Sequence, residues 1–150
     1  GGVAVFDTLA CWHGNVFKLS AHRQRFERSA HAAMIPLRVQ GTELEQIVIE
    51  TTRRSGCRDA YVQMIATRGL RPSPSAPSAG EPTLIVYAVP YVWIVPREKI
   101  TTGISVLIPS IRQWPASVID AKIKNFNRLH GYLAGVRTSF SSGMGACTRR

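Results

Sequence analysis

Hydrophobic and polar positions along the chain change rhythm several times, and each change marks an element. Gly1 to Ala10 is apolar and β-favouring and reads as a strand. Cys11-Trp12-His13-Gly14-Asn15 reads as a hairpin turn, with Val16 to Leu19 as a short returning strand. From Ser20, a plausible N-cap, the spacing predicts a helix to about Ala33, with Phe26, Ala30 and Ala33 on one face. Pro36 closes that unit. Thr42-Glu43-Leu44-Glu45 fits a capping box, and Leu44, Ile47, Val48 and Thr51 continue it with helical periodicity up to Gly56.

The period then returns to that of strands. Asp59 to Thr67 reads as one strand, and Arg71 to Pro82 as a Pro/Ser/Gly-rich loop. Thr83 to Val95 is the strongest apolar run. Its two apolar faces predict a central strand, with Pro90 at a bulge or at a position without a ladder donor. Ile104 to Pro109 reads as a further strand, and a helix is expected from near Asn127 to about Ala134. Two consecutive helices among strands make this an α+β arrangement rather than a repeating βαβ fold.

Composition bounds these elements. The 150 residues are 45% hydrophobic and 19% charged, enough for one compact domain or parts of two. The chain is too apolar to be disordered, and no uncharged run approaches the ~20 residues of a spanning helix, so no membrane partner is expected. No leader argues for secretion, and three widely spaced cysteines (Cys11, Cys57 and Cys147) fit free thiols, so a cytoplasmic setting is expected. Neither the cysteines nor the four histidines have metal-ligand spacing, and no metal is expected.

Charge and chemistry change the picture more. Nineteen Lys and Arg against nine Asp and Glu leave +10. That excess suits an anionic ligand, but the arginines are scattered and no nucleic-acid recognition motif accompanies them. Glycine-rich nucleotide loops and a Gly-x-Ser-x-Gly elbow are absent. Lys122 and Lys124 lie in Val118-Ile119-Asp120-Ala121-Lys122-Ile123-Lys124-Asn125-Phe126-Asn127. A lysine among apolar neighbours can lose its proton readily and act as a nucleophile; two solvated lysines beside a helix start are the plainer reading. His22, Arg25 and Arg28 share a face near a helix N-terminus, which makes either a phosphate cradle or an exposed face balanced by Glu27.

Several segments, taken in order, weigh these alternatives. They are Val5-Phe6-Asp7-Thr8-Leu9 followed by Gly14, Phe17 and Leu19, then His22-x-x-Arg25-Phe26-x-x-Ser29. After them stand Ser55-Gly56-x-x-Asp59-Ala60-Tyr61-Val62, Thr67-Arg68-Gly69, Pro90-Tyr91-Val92-Trp93 and Ile119-Asp120-x-x-x-Lys124-x-x-Asn127. The ordered set, over about residues 3 to 135, resembles the class IV pyridoxal-phosphate-dependent aminotransferases of fold type IV. That group contains the branched-chain, D-amino-acid and R-selective amine transaminases. Arg25-Phe26-Glu27-Arg28-Ser29 and Pro90-Tyr91-Val92-Trp93 look most like the R-selective branch.

The resemblance implies pyridoxal 5'-phosphate as cofactor, with an amine or amino acid as donor and a 2-oxo acid as acceptor. Lys124 matches the lysine that holds the cofactor covalently and then moves the substrate proton, and Lys122 is the decoy. Arg25 matches the arginine on the cofactor phosphate, and His22 matches a positional family marker. Phe6, Tyr61 and Gln63 match substrate-pocket positions, with Phe and Gln where some relatives carry Tyr and Glu. Arg71 stands, displaced, where a loop arginine often meets the substrate carboxylate. The same scaffold also carries lyases of the aminodeoxychorismate type. A rival from another class is a basic anion- or nucleic-acid-binding module without catalysis.

Members of this family are about twice as long, which sets the expected organisation. Residues 1–95 would form the small N-terminal domain without its first strands, and 96–134 the start of the cofactor-binding domain. Residues 135–150 match neither the family nor a packed element and read as an aberrant tail. The resemblance thus predicts a truncated, inactive fragment. It implies homodimers for full-length members, an expectation that does not carry over to a chain lacking half of the second domain.

Overall fold

The computed structural model describes residues 3–70, 73, 80–106 and 108–141. Strand β1 (Ala4–Trp12) turns back through His13 and Gly14, both at positive φ, into the two-residue β2 (Asn15–Val16). Positive φ at both turn residues suits the twist of a tight hairpin, and glycine adopts it without a Cβ penalty. Helices α1 (Leu19–Ala32) and α2 (Gly41–Arg54) follow, then β3 (Ala60–Thr67) and β4 (Thr83–Pro90). The strands form an antiparallel sheet in the order β2-β1-β3-β4. This is the α+β arrangement expected from the order of elements.

Period-2 alternation divides the sheet into two faces. Val5, Leu9, Cys11, Val62, Met64 and Ala66 point to the side that α1 and α2 cover. They pack with Phe26, Ala30, Leu44 and Val48 in one core. Phe26 and Ala30 lie on the expected face of α1. On α2 the buried row is Leu44, Val48 and Thr52, so Thr52 takes the place expected for Thr51. The opposite face presents Phe6 and Thr8 from β1, Tyr61 and Gln63 from β3, and Ile85 and Tyr87 from β4, with Thr8, Gln63 and Tyr87 in cross-strand register.

Several boundaries differ from the sequence expectation. The residue preceding α1 is Lys18, in the left-handed region at φ 48°, and Ser20 lies inside the first turn. The returning strand ends at Val16, so the helix starts sooner. The capping box does not form, because tertiary partners claim its acid. Glu45 accepts from Arg23 Nε at 2.9 Å, while Glu27 of α1 accepts the Gly41 N–H at 2.7 Å. A carboxylate from the neighbouring helix thus satisfies a donor at the start of α2 and opposes its dipole favourably.

β4 is an edge of the described sheet, not a central strand, and it ends at Pro90 opposite Ala60 without a bulge. Its two-sided apolarity arises because Leu84, Val86 and Ala88 face the core while Ile85, Tyr87 and Val89 line the face away from the helices. Residues 104–106 and 108–109 form no strand. Ile104, Val106 and Ile108 are exposed and enter no ladder among the described residues. A short helix α3 (Lys99–Thr102) precedes them, and α4 (Leu129–Ser141) starts two residues later than expected and runs past Ala134.

The chain divides into two units. One comprises residues up to Val92 together with Lys122–Phe126; the other comprises Trp93–Ala121 and the chain from Asn127. In the first unit, the returning segment joins the sheet through a bridge between Val5 and Asn125. The second holds α3 and α4. No helix among the described residues is long and apolar enough to cross a membrane.

Candidate functional site

Two neighbouring residues of β1 organise the site, and alternation sends them to opposite faces. Phe6, on the face away from the helices, donates its N–H to the Lys124 carbonyl at 2.9 Å. Its ring lies beneath Lys124 Nζ at 4.6 Å and against Phe126 at 4.4 Å between centroids. An ammonium over an aromatic face is held by the ring quadrupole. Lys124 is partly buried, whereas Lys122, two residues earlier, is exposed. The segment is anchored because Ile123 packs against the core and Ser29 Oγ accepts the Lys124 N–H at 3.1 Å.

Asp7 faces the helices and is completely buried. Arg25 reaches it with two parallel bonds, Nε to Oδ2 at 2.7 Å and Nη2 to Oδ1 at 2.8 Å. His22 Nδ1 stands 2.8 Å from Oδ1, and the Thr8 N–H donates to the same oxygen at 2.8 Å. Burial alone would raise the Asp7 pKa, but the bonds and charges of Arg25 and His22 outweigh it and hold the carboxyl below its ordinary range. The Arg25 side chain remains 44% exposed, so its guanidinium is fixed from behind yet open to solvent. One helical turn on, Ser29 donates its hydroxyl to the Arg25 carbonyl at 2.9 Å. Ser29 therefore links the backbones of Arg25 and Lys124.

The face away from the helices carries a polar network. Gln63 Nε2 donates to Thr8 Oγ1 and to the Tyr61 hydroxyl, each at 3.2 Å, and the Tyr87 hydroxyl donates to Gln63 Oε1. These bonds fix which end of the Gln63 amide faces which neighbour. Desolvation first, and the adjacent Tyr61 second, raise the Tyr87 pKa, so its proton stays on to be donated. One face of the sheet thus carries an amine over a two-ring aromatic floor beside neutral hydroxyl and amide groups, and the other carries a half-exposed guanidinium held on Asp7. Among the described residues no group of three or more His, Cys, Asp or Glu is placed to hold a metal ion.

Of the residues singled out from sequence, Phe6, Tyr61 and Gln63 share one face of the sheet, and Lys124 lies over the ring of the first. Arg25 approaches from α1 and meets β1 at Asp7. Arg71 lies outside the described residues, as do Cys147 and most of the 71–82 loop. The sequence alone assigns no role to Asp7 or Tyr87. A carboxylate in the inward row of a strand, between Val5 and Leu9, was the signal for Asp7; only the strand register marks Tyr87.

Comparison with known proteins bears on the family and the fold of the chain. The family model described as amino-transferase class IV matches residues 4–137. A Methanocaldococcus jannaschii protein assigned as a branched-chain-amino-acid aminotransferase is 29% identical over 141 residues, covering 93% of this chain and 48% of that protein. The chloroplastic D-amino-acid transaminase of Arabidopsis thaliana is 37% identical over 68 residues, covering 45% of this chain and 18% of its own length. Among solved structures, the branched-chain amino acid aminotransferase of Thermobaculum terrenum in its PLP form superposes with a TM-score of 0.78 at 21% identity. That likeness, which is one of fold, covers 93% of this chain and 47% of the other. The chain spans about half the length of the first of these relatives. With the family model running from the first residue of β1 into α4, the chain belongs to the class IV amino-transferase family.

Proposed function

We propose that this chain forms part of an enzyme that uses pyridoxal 5'-phosphate to transfer an amino group between an amine or amino acid and a 2-oxo acid. The observation that carries the reading is the placement of Lys124 Nζ over Phe6, with its backbone tied through Ser29 to the turn of α1 that bears Arg25. A primary amine, a half-exposed guanidinium and an aromatic floor are a donor set that fits the cofactor's aldehyde, phosphate and ring. Arg25 would hold the phosphate as a charge-assisted partner, and Lys124 would hold the aldehyde carbon.

The cofactor, when bound, supplies the electron sink that lets a substrate Cα–H bond ionise. The residues of this chain supply position and proton movement. Lys124 Nζ takes the Cα proton as general base and returns one as general acid. Phe6, with Phe126 against it, gives that amine an apolar wall on one side. Thr8, Tyr61 and Gln63, oriented by Tyr87, present neutral hydrogen-bonding groups to the substrate, a surface suited to polar uncharged substituents. Arg71 is proposed to meet a substrate carboxylate.

The test is amino transfer followed by product analysis. The whole enzyme of which this chain forms part, loaded with cofactor and given an amino donor, should convert bound pyridoxal phosphate to its pyridoxamine form, whereas the isolated chain should not. Lys122→Ala should retain that conversion and Lys124→Ala should lose it. Conversion that persists without Lys124, or release of pyruvate with no acceptor present, would contradict the proposal.

A further inference from the structure

The Asp7 carboxylate is fully buried, yet it sits one residue from the aromatic floor of the site and spends both its oxygens on α1. A carboxylate of this kind is costly to bury and needs a reason beyond packing, since an apolar residue in the same row would fill the core without that cost. What its geometry does is immobilise Arg25. A free arginine samples many rotamers, and fixing it on binding an anion would cost entropy at that moment. The two parallel bonds fix the guanidinium plane in advance, and the His22 ring and Thr8 N–H hold the carboxylate from two further directions.

We propose that Asp7 is the positioning residue for phosphate recognition, acting through Arg25. The inference rests on the reading of Arg25 as the phosphate partner. Two effects oppose each other. The negative charge of Asp7 weakens the pull of Arg25 on an anion, while preorganisation strengthens binding. Burial decides between them: Asp7 is completely enclosed behind the guanidinium and already neutralised by it, whereas 44% of the Arg25 side chain remains open. Asparagine at position 7 would accept one bond but turn an N–H donor toward a second donor of Arg25, and the fork would be lost.

The experiment compares equilibrium binding of pyridoxal 5'-phosphate with that of pyridoxal, which lacks the phosphate, for the wild type, Asp7→Asn, Arg25→Gln and the double variant. The ratio of the two affinities isolates phosphate recognition from everything a general loosening of the fold would change. In the wild type the phosphate should strengthen binding by about tenfold or more, as charge-assisted bonds do. Asp7→Asn should shrink the ratio several-fold with pyridoxal affinity unchanged, Arg25→Gln should bring it near one, and the double variant should match Arg25→Gln.

An Asp7→Asn ratio equal to or larger than that of the wild type overturns the positioning role alone. A wild type without any ratio overturns the Arg25 reading and this inference with it. A measurement on the unmodified protein guards against a variant that does not fold. The Arg25 Nε–H should be as ordered as the backbone on the fast timescale, with an order parameter of roughly 0.85. An Arg25 Nε–H as mobile as a solvated arginine side chain contradicts the proposal.

Discussion

Ser29 and Lys124, 95 residues apart, meet through a single hydrogen bond of 3.1 Å from the lysine amide to the serine hydroxyl. The same hydroxyl donates onward to the Arg25 carbonyl. One side chain of α1 thereby sets where the returning segment, and with it the lysine, sits against β1. Replacing Ser29 with alanine removes the acceptor and leaves the Lys124 N–H without it, at a cost of about 1–3 kcal/mol. Hydrogen exchange at the Lys124 amide should accelerate sharply while amides in β3 change little. Unchanged protection at residue 124 would show that the segment is held by other contacts.

The core beneath the site makes a second prediction. Phe26 is completely buried between α1 and the sheet, so Phe26→Ala should cost about 3–5 kcal/mol, read as a fall in the urea midpoint. Arg28→Ala, on the same helix but exposed, should change the midpoint little.

Acid should weaken the fold partly through Asp7. Its folded pKa lies below its ordinary value of 3.8, so its ionised form stabilises the protein above that value. The contribution disappears as pH falls below 3.8 and through the lower folded value. Glu50, pulled down to about 2 by Arg53 and then Arg54, titrates over an overlapping range, so the comparison must isolate Asp7. Between about pH 5 and pH 2, Asp7→Asn should lose less stability than the wild type, because it lacks that carboxylate. Equal losses would mean that Asp7 carries no depressed pKa.

Much of this arrangement is legible in the sequence because it depends on local rhythm. The Phe26/Ala30 face of α1, the hairpin around His13-Gly14 and the Gly56 stop after α2 all follow from spacing and backbone chemistry. The misreadings fall where tertiary partners override a local signal. Glu45 could have closed a capping box, but Arg23 on another helix reaches it. Thr83 to Val95 reads as one central strand because both its faces are apolar, and nothing in the run itself says which face a helix will cover or that pairing stops at Pro90. Ile104 to Pro109 has strand composition and no neighbouring strand to pair with among the described residues. The site shows the same division. Lys124 stood out from Lys122 only through a resemblance in the order of motifs; geometry separates them by burial and by the Phe6 ring. Asp7 was visible as a residue but not as a partner, because its meaning depends on two side chains of α1 that the strand does not encode.

Covalent capture of pyridoxal phosphate by a lysine distinguishes the proposed anchor, Lys124, from Lys122 in a single labelling experiment. The protein is incubated with pyridoxal 5'-phosphate, reduced with borohydride to make the lysine linkage permanent, digested and mapped by mass spectrometry. A phosphopyridoxyl group is expected on Lys124, with Lys122 unmodified, and that label should be lost in Lys124→Ala. Labelling of Lys122 in place of Lys124, or equal labelling across the four lysines of the chain, would contradict it.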